Sequence, residues 1–312
     1  MNTGDEAYKR VARELGGTDV AARLAGLSGS DFASLMLEVA RRRAARETPA
    51  SVLRRYRNDR FARPGGTPWR TLRQAEDLLL GCLPADVEMV TVAPLVPLGT
   101  HSALGTVSQD KIVTAVRASE VAADPTNALA LEAAVRRAAA EKSGERGAHA
   151  TVRLAAIQRV TRAQLPPAGM QAHFSLFAMV TAGRDEGSLR FEEAALREHL
   201  RFAVAGLRAA GLAAQVALTP LSDAGERIAA AAGADVRDVA DEIVTDRERT
   251  AGRGYYRDVC FKVNAVGHGQ PREIGDGGFT DWTARLLASK KERLLISGHG
   301  LARLLDSRNG AG

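Results

Sequence analysis

Apolar residues recur at helical spacing through the first part of the chain. Ser28-Gly29-Ser30-Asp31 offers an N-cap, and Phe32, Leu35, Met36, Val39 and Ala40 follow at i, i+3, i+4, i+7 and i+8. This stripe lies opposite Arg41, Arg42 and Arg43 and predicts an amphipathic helix with a basic end. A second basic cluster, Arg54, Arg55, Arg57 and Arg60, precedes Pro64-Gly65-Gly66-Thr67-Pro68, a breaker-rich stretch that reads as a linker or turn. From residue 86 the texture changes. Segments rich in β-formers (87–97, 150–160, 174–181, 215–218, 259–266 and 293–297) are separated by helical windows at 128–141, 191–210 and 224–232. The expected organisation is a helical, basic N-terminal extension over residues 1–80 and an α+β domain over residues 81–312.

Composition narrows the picture without changing it. With 312 residues, 45% hydrophobic and 26% charged, the chain falls among ordered globular proteins and is long enough for one large domain or two smaller ones. Cys82 and Cys260 lie far apart with no Cys-x-x-Cys partner, so neither a disulfide framework nor a cysteine zinc site is expected, and a reducing, cytoplasmic compartment fits. No window holds eighteen uninterrupted apolar residues and the N-terminus carries acids with no apolar signal core, so neither export nor a membrane partner is expected. Only six of the 43 basic residues are lysines, so the net charge of +6 is nearly all guanidinium, suited to bidentate phosphate or carboxylate contacts. The arginines at 41–60 read either as a solvated helix face or as a contact for RNA. Gly99 to Thr106 reads as a Gly/Thr loop able to cradle an anion, although it lacks the Gly-Lys-Ser/Thr ending of a Walker loop.

Five segments carry chemistry in order. Asp124-Pro125-Thr126 comes first. Residues 161–174, Thr-Arg-Ala-Gln-Leu-Pro-Pro-Ala-Gly-Met-Gln-Ala-His-Phe, make a strand, a Pro/Gly turn and a second strand. Gly254-Tyr255-Tyr256-Arg257-Asp258, then Asp276-Gly277-Gly278-Phe279-Thr280-Asp281, then Gly298-His299-Gly300-Leu301-Ala302-Arg303 follow. Together they resemble the motifs of class II aminoacyl-tRNA synthetases, and of histidyl-tRNA synthetase in particular, over about residues 86–308.

The resemblance implies a class II synthetase-type antiparallel sheet flanked by helices, with ATP and Mg2+ as cofactors and a homodimer formed through residues 87–97 and the segment that follows them. It implies that Arg162 holds the α-phosphate. Gln164 stands where the family has a nucleotide-binding glutamate, and Arg303 clamps the γ-phosphate while sandwiching adenine against Phe174. Flat guanidinium faces stack on aromatic rings, and preplaced positive charge stabilises a pentavalent phosphorus more than its ground state. Asp124 and Thr126 are placed to bind a substrate amino group, and Tyr255 and Tyr256 to wall its pocket.

The departures from the family are equally specific. Met170 replaces a phosphate-binding arginine, and Ala251 stands where the catalytic arginine belongs, leaving Arg253 as the candidate substitute. Leu176 and Val180 replace the polar readers of imidazole, so the expected substrate is an amino acid or related carboxylate other than histidine, with a compact apolar or weakly polar side chain. The chain ends soon after Arg303 and leaves only about forty residues between the helix at 191–210 and Tyr255, so neither an anticodon-binding domain nor an insertion domain is expected. The expected function is ATP-dependent adenylation with acyl transfer to an acceptor such as tRNA or a carrier protein. The alternative is a non-catalytic regulatory or scaffold subunit, like that of ATP phosphoribosyltransferase.

Overall fold

The computed structural model describes residues 3–17, 19–145, 150–166, 171–266 and 271–309. The chain forms two compact units, residues 1–63 with 114–119, and residues 64–113 with 120–312.

The first unit is helical: α1 (Thr3–Glu14), α2 (Val20–Ala25), α3 (Gly29–Ala44) and α4 (Pro49–Tyr56). Ser28 caps α3 by accepting from the Asp31 N–H, and Arg41, Arg42 and Arg43 fall in its last turn, where positive charge complements the helix dipole. Thr48 and Ser51 form a capping box on α4, with Pro49 pre-set in its first turn. The predicted stripe of α3 is present but shallowly covered, since Leu35 and Val39 each keep 41% of their surface exposed.

The second unit opens with α5 (Trp69–Cys82), followed by the short strands β1 (Glu88–Met89) and β2 (Leu95–Pro97) and the helix α6 (Thr100–Gly105). The β-rich stretch at 87–97 is thus two strands interrupted around Pro94, which has no N–H for a ladder. The short strand β3 (Thr114–Ala115) belongs to the 114–119 segment of the first unit, and the short strand β4 (Ser119–Val121) begins at the end of that segment. Then come α7 (Pro125–Ser143), the hairpin β5 (Val152–Thr161) and β6 (His173–Arg184), α8 (Arg190–Ala209), β7 (Ala213–Pro220), α9 (Asp223–Val236) and β8 (Glu242–Thr245). The chain closes with β9 (Tyr256–Val266), β10 (Arg272–Thr280), α10 (Trp282–Leu286), β11 (Glu292–Gly300) and α11 (Leu301–Asn309).

Eight strands form one sheet in the order β1-β5-β6-β11-β10-β9-β7-β8. The outer pairs β1/β5 and β7/β8 are parallel, and the pairs between them are antiparallel. Because successive strand residues face opposite ways, the long strands feed two cores. Ala155, Phe177, Met179, Phe261 and Leu295 join residues of α5, α8, α9 and α11. Leu154, Ala178, Val180, Cys260 and Ile296 join Leu129 and Ala133 of α7, and Trp282. Helices therefore cover both faces, and the candidate site lies on the α7 side.

β10 was not expected as a strand, because glycines are poor strand formers. Here they are required by close approach: a Cβ on Gly277 would lie 2.4 Å from the Ile296 carbonyl, and one on Gly278 would lie 2.6 Å from the Tyr256 ring. The Pro64–Pro68 stretch is also less open than a linker, since Gly65 and Gly66 pack closely against the side chain of Gln171.

Candidate active site

A cleft of about 420 Å³ lies between the start of α7, the end of β5, the turn before β9 and the middle of β10 and β11. Asp124 is the N-cap of α7: its Oδ1 accepts from the Thr126 N–H at 3.0 Å and the Thr126 hydroxyl at 2.7 Å. Its other oxygen faces Arg162, 3.6 Å from Nη2. Arg162 leaves the hairpin strand just after Thr161, donates from Nε to the Ala123 carbonyl at 3.1 Å and lies 5.1 Å from the centre of the Phe174 ring. The register Val160 to Phe174 and Thr161 to His173 brings these groups together. Asp124, Thr126, Arg162 and Gln164 all line the cleft.

The segment leading into Asp124 is held by a buried pair. His101 donates from Nδ1 to Glu120 Oε1 at 2.6 Å, and its Nε2 accepts from the Ala123 N–H at 3.0 Å, which defines a neutral ring with the proton on Nδ1. Burial opposes the charge on Glu120, but the N–H groups of His101 and Gly99 and the amide of Gln109 outweigh it and hold the carboxyl below its usual range. Gly99 to Thr106 is consequently not an open anion loop. It folds around the short helix α6, and its backbone N–H groups at Gly99 and His101 already serve Glu120.

On the opposite wall Tyr255 and Tyr256 meet at 4.4 Å between ring centres. Tyr256 reaches Asp276 Oδ2 at 3.4 Å, and the same oxygen accepts from Arg249 Nη2 at 2.9 Å. Burial pushes the Tyr255 hydroxyl up to about 12 and the Tyr256 hydroxyl well above its ordinary value, so both remain protonated donors. Burial also raises the Asp276 carboxyl, against the opposing pull of Arg249. Gly252, at φ +83°, makes this corner feasible: a side chain there would meet the Tyr256 ring at 2.6 Å.

Arg249, which the sequence motifs do not single out, stands behind the cleft lining and positions Tyr256 and Asp276. Its guanidinium is 1% exposed, lies 5.4 Å from the centre of the Tyr256 ring, and also donates to the carbonyls of Phe261 and Ala251. The local signal is Asp246, whose side chain accepts from the N–H groups of Glu248 and Arg249 in an Asx-type turn. Arg253, the expected substitute, turns back onto its own loop, donating to the carbonyls of Arg249 and Arg247, and does not line the cleft.

Other expected groups are also placed apart from the cleft. Arg303 sits in the first turn of α11, after the Gly298 and Gly300 strand end, but its guanidinium pairs with Glu273 at 3.3 Å, and Glu273 also binds Lys262 at 3.1 Å. The guanidinium beside Phe174 is that of Arg162. Val180 is fully buried in the apolar cluster under α7, and neither it nor the half-buried Leu176 lines the cleft. Met170 lies outside the described residues. Among the described residues no group of three or more His, Cys, Asp or Glu side chains could hold a metal ion. No described helix is long and apolar enough to cross a membrane.

The largely antiparallel sheet, the 161–174 hairpin and the strand-to-helix passage at 292–309 define the fold of a class II aminoacyl-tRNA synthetase catalytic core. The chain is similar to an ATP phosphoribosyltransferase regulatory subunit/histidyl-tRNA synthetase from Bacillus halodurans, at 14% identity and a TM-score of 0.58 over 80% of this chain and 82% of that one. It is also similar to a histidine–tRNA ligase subunit from Alicyclobacillus acidocaldarius (16% identity, TM-score 0.57, 80% and 96%) and to the histidyl-tRNA synthetase of S. aureus (14%, 0.56, 78% and 67%). At these identities the likeness is one of fold. No protein-family model matches the chain, and no curated protein matches it in sequence.

Proposed function

We propose that this protein adenylates an amino acid or related carboxylate at the expense of ATP and passes the acyl group to an acceptor such as tRNA or a carrier protein. The observation that carries this reading is the Arg162 guanidinium, stacked on Phe174 and steered by Asp124 at the edge of a cleft lined by Asp124 and Asp276 as well as Lys111 and Arg162 itself. ATP with its magnesium ion supplies the activated phosphoryl group. Arg162 is the residue that would hold the α-phosphate, where charge builds as the substrate carboxylate oxygen bonds to phosphorus and pyrophosphate leaves. Phe174 does not line the cleft itself; its ring backs the Arg162 guanidinium and would offer the base an aromatic face beside it. Asp124 and Asp276 carry the negative charge that would hold the α-ammonium, and Tyr255 and Tyr256 supply protonated donors beside it. The active form on this reading is a homodimer, with Leu95 and Leu98, both more than 40% exposed, in the pairing segment.

A second reading, a regulatory or scaffold subunit, is favoured by Arg253 folded onto its own loop and Arg303 engaged by Glu273. The Bacillus halodurans neighbour carries both names, regulatory subunit and synthetase. Calorimetry with Mg-ATP separates the two. Binding that weakens about tenfold or more in Phe174→Ala supports the nucleotide site. Absence of binding at millimolar ATP removes the adenylation reading and leaves the scaffold.

A further inference from the structure

Asn127, Trp282 and Gly105 meet at one end of the cleft. Asn127 follows Thr126 in the first turn of α7, and Trp282 opens α10; both line the cleft and both are more than nine-tenths buried. Asn127 Nδ2 and Trp282 Nε1 are buried N–H donors with no acceptor among the described residues. Buried donors are normally paired, so two orphans beside one cavity call for an external acceptor.

Gly105, which also lines the cleft, lies beside both of these side chains. A Cβ built on it would lie 4.0 Å from Asn127 Nδ2, 3.9 Å from Trp282 Cζ2 and 3.5 Å from Val107 Cγ2, all ordinary contact distances. The glycine therefore leaves a methyl-sized space bounded by one free donor, the ring that carries the other, and one apolar atom. None of these three atoms is charged. The cleft's cations, Lys111 and Arg162, are not among these nearest atoms, so the donors found here suit a neutral carbonyl or hydroxyl oxygen, which an N–H can pair without a counterion.

We infer that the space beside Gly105 is a side-chain subsite, and that Asn127 and Trp282 select an amino acid whose side chain ends in a neutral oxygen acceptor. This rests on the reading of the cleft as an amino-acid site and changes its specificity. The apolar preference drawn from Leu176 and Val180 loses its footing, because those residues lie away from the cleft.

The test is direct binding of free amino acids to the full chain without ATP, by calorimetry and thermal shift, using the near-isosteric pairs glutamine with methionine and asparagine with leucine, and glutamate as the charged comparison. In at least one pair the amide should bind about tenfold or more tightly than its apolar partner, the scale expected when buried donors are otherwise left unpaired. Glutamate should bind less tightly than glutamine. Gly105→Ala fills the space at contact distance without a backbone penalty and should erase the preference, and so should Asn127→Leu; unliganded melting curves check that each variant folds. Equal binding of amide and apolar partners, tighter binding of glutamate, or a preference that survives both variants would overturn the inference. Binding of both partners alike, lost in Asp124→Ala, would overturn the subsite alone and leave the amino-acid cleft standing. Absence of all amino-acid binding alongside intact Mg-ATP binding would overturn both.

Discussion

Arg249 donates from Nη2 to Asp276 Oδ2 at 2.9 Å, joining the loop before β9 to the centre of β10 beneath the Tyr256 ring. Its other nitrogens serve the carbonyls of Phe261 and Ala251. One buried cation thus ties the Tyr255–Tyr256 wall to the acidic floor of the cleft. Replacing it leaves a raised carboxyl and two carbonyls short of a donor. Asp276 keeps 39% of its side chain exposed, so water takes over part of the carboxylate's pairing, and Arg249→Met should cost about 2 kcal/mol of stability, mainly from the two buried carbonyls left without a donor. Urea unfolding measures this, and a loss below about 1 kcal/mol would show that the pair contributes little.

The sheet also encloses two histidines on the α8 side. His199 bonds Thr181 at 3.0 Å and Ser297 at 2.8 Å, while His299 packs beside Phe177 and Phe202. Burial lowers the His299 ring from 6.5 to about 4 and holds His199 well below its ordinary value. Both are neutral in the folded protein and take up protons on unfolding near pH 5. Stability should then fall as pH drops from 6.5 towards 4 and be fully present above 6.5, with His299 alone contributing about 3 kcal/mol. Urea midpoints at pH 7 and pH 5 should separate clearly in the wild type and less in His299→Gln; the same separation in both would contradict the assignment.

If Arg303 serves a nucleotide, it must leave Glu273. Glu273→Gln removes the charge that holds both Arg303 and Lys262. Because the pair is more than a third exposed, its strength is modest, and Mg-ATP binding should tighten by about two- to fivefold. Calorimetry reads this directly, and unchanged affinity would place Arg303 outside the nucleotide site.

The arginine-rich helices make a separate, salt-dependent prediction. Arg41 and Arg42 pair with Glu38, and Arg55 pairs with Glu47, whereas Arg46, Arg54 and Arg57 make no ion pair among the described residues. If these arginines meet an RNA acceptor, filter retention of bulk tRNA at low salt should fall with added salt by about 0.7 to 0.9 log units per log unit for each phosphate neutralised. Arg54→Ala with Arg57→Ala should make that slope shallower. No retention at low salt would mark the helices as a solvated face.

Local chemistry was enough to read much of the molecule. The Ser28 cap, the α3 stripe, the alternating strands and the α+β class follow from spacing and side-chain type, because each depends on neighbours within a few residues. The strands carrying Arg162 at the end of one and Phe174 at the start of the next were legible for the same reason, since antiparallel pairing of β5 with β6 fixes which residues face each other. Tertiary structure decided the rest. β10 is a strand because Phe261, Tyr256 and Ile296 leave room only for glycines, a cause lying on other strands. Arg249 rather than Arg253 reaches the acidic floor because the turn at Asp246 aims it there, and the two cannot be told apart by spacing from Tyr255. Val180 is core rather than pocket because α7 covers it, and the orphan donors of Asn127 and Trp282 exist only once α7 and α10 have packed beside Gly105. Which groups are left without a partner is a property of the whole packed chain, since satisfaction of a buried polar atom depends on every element that surrounds it.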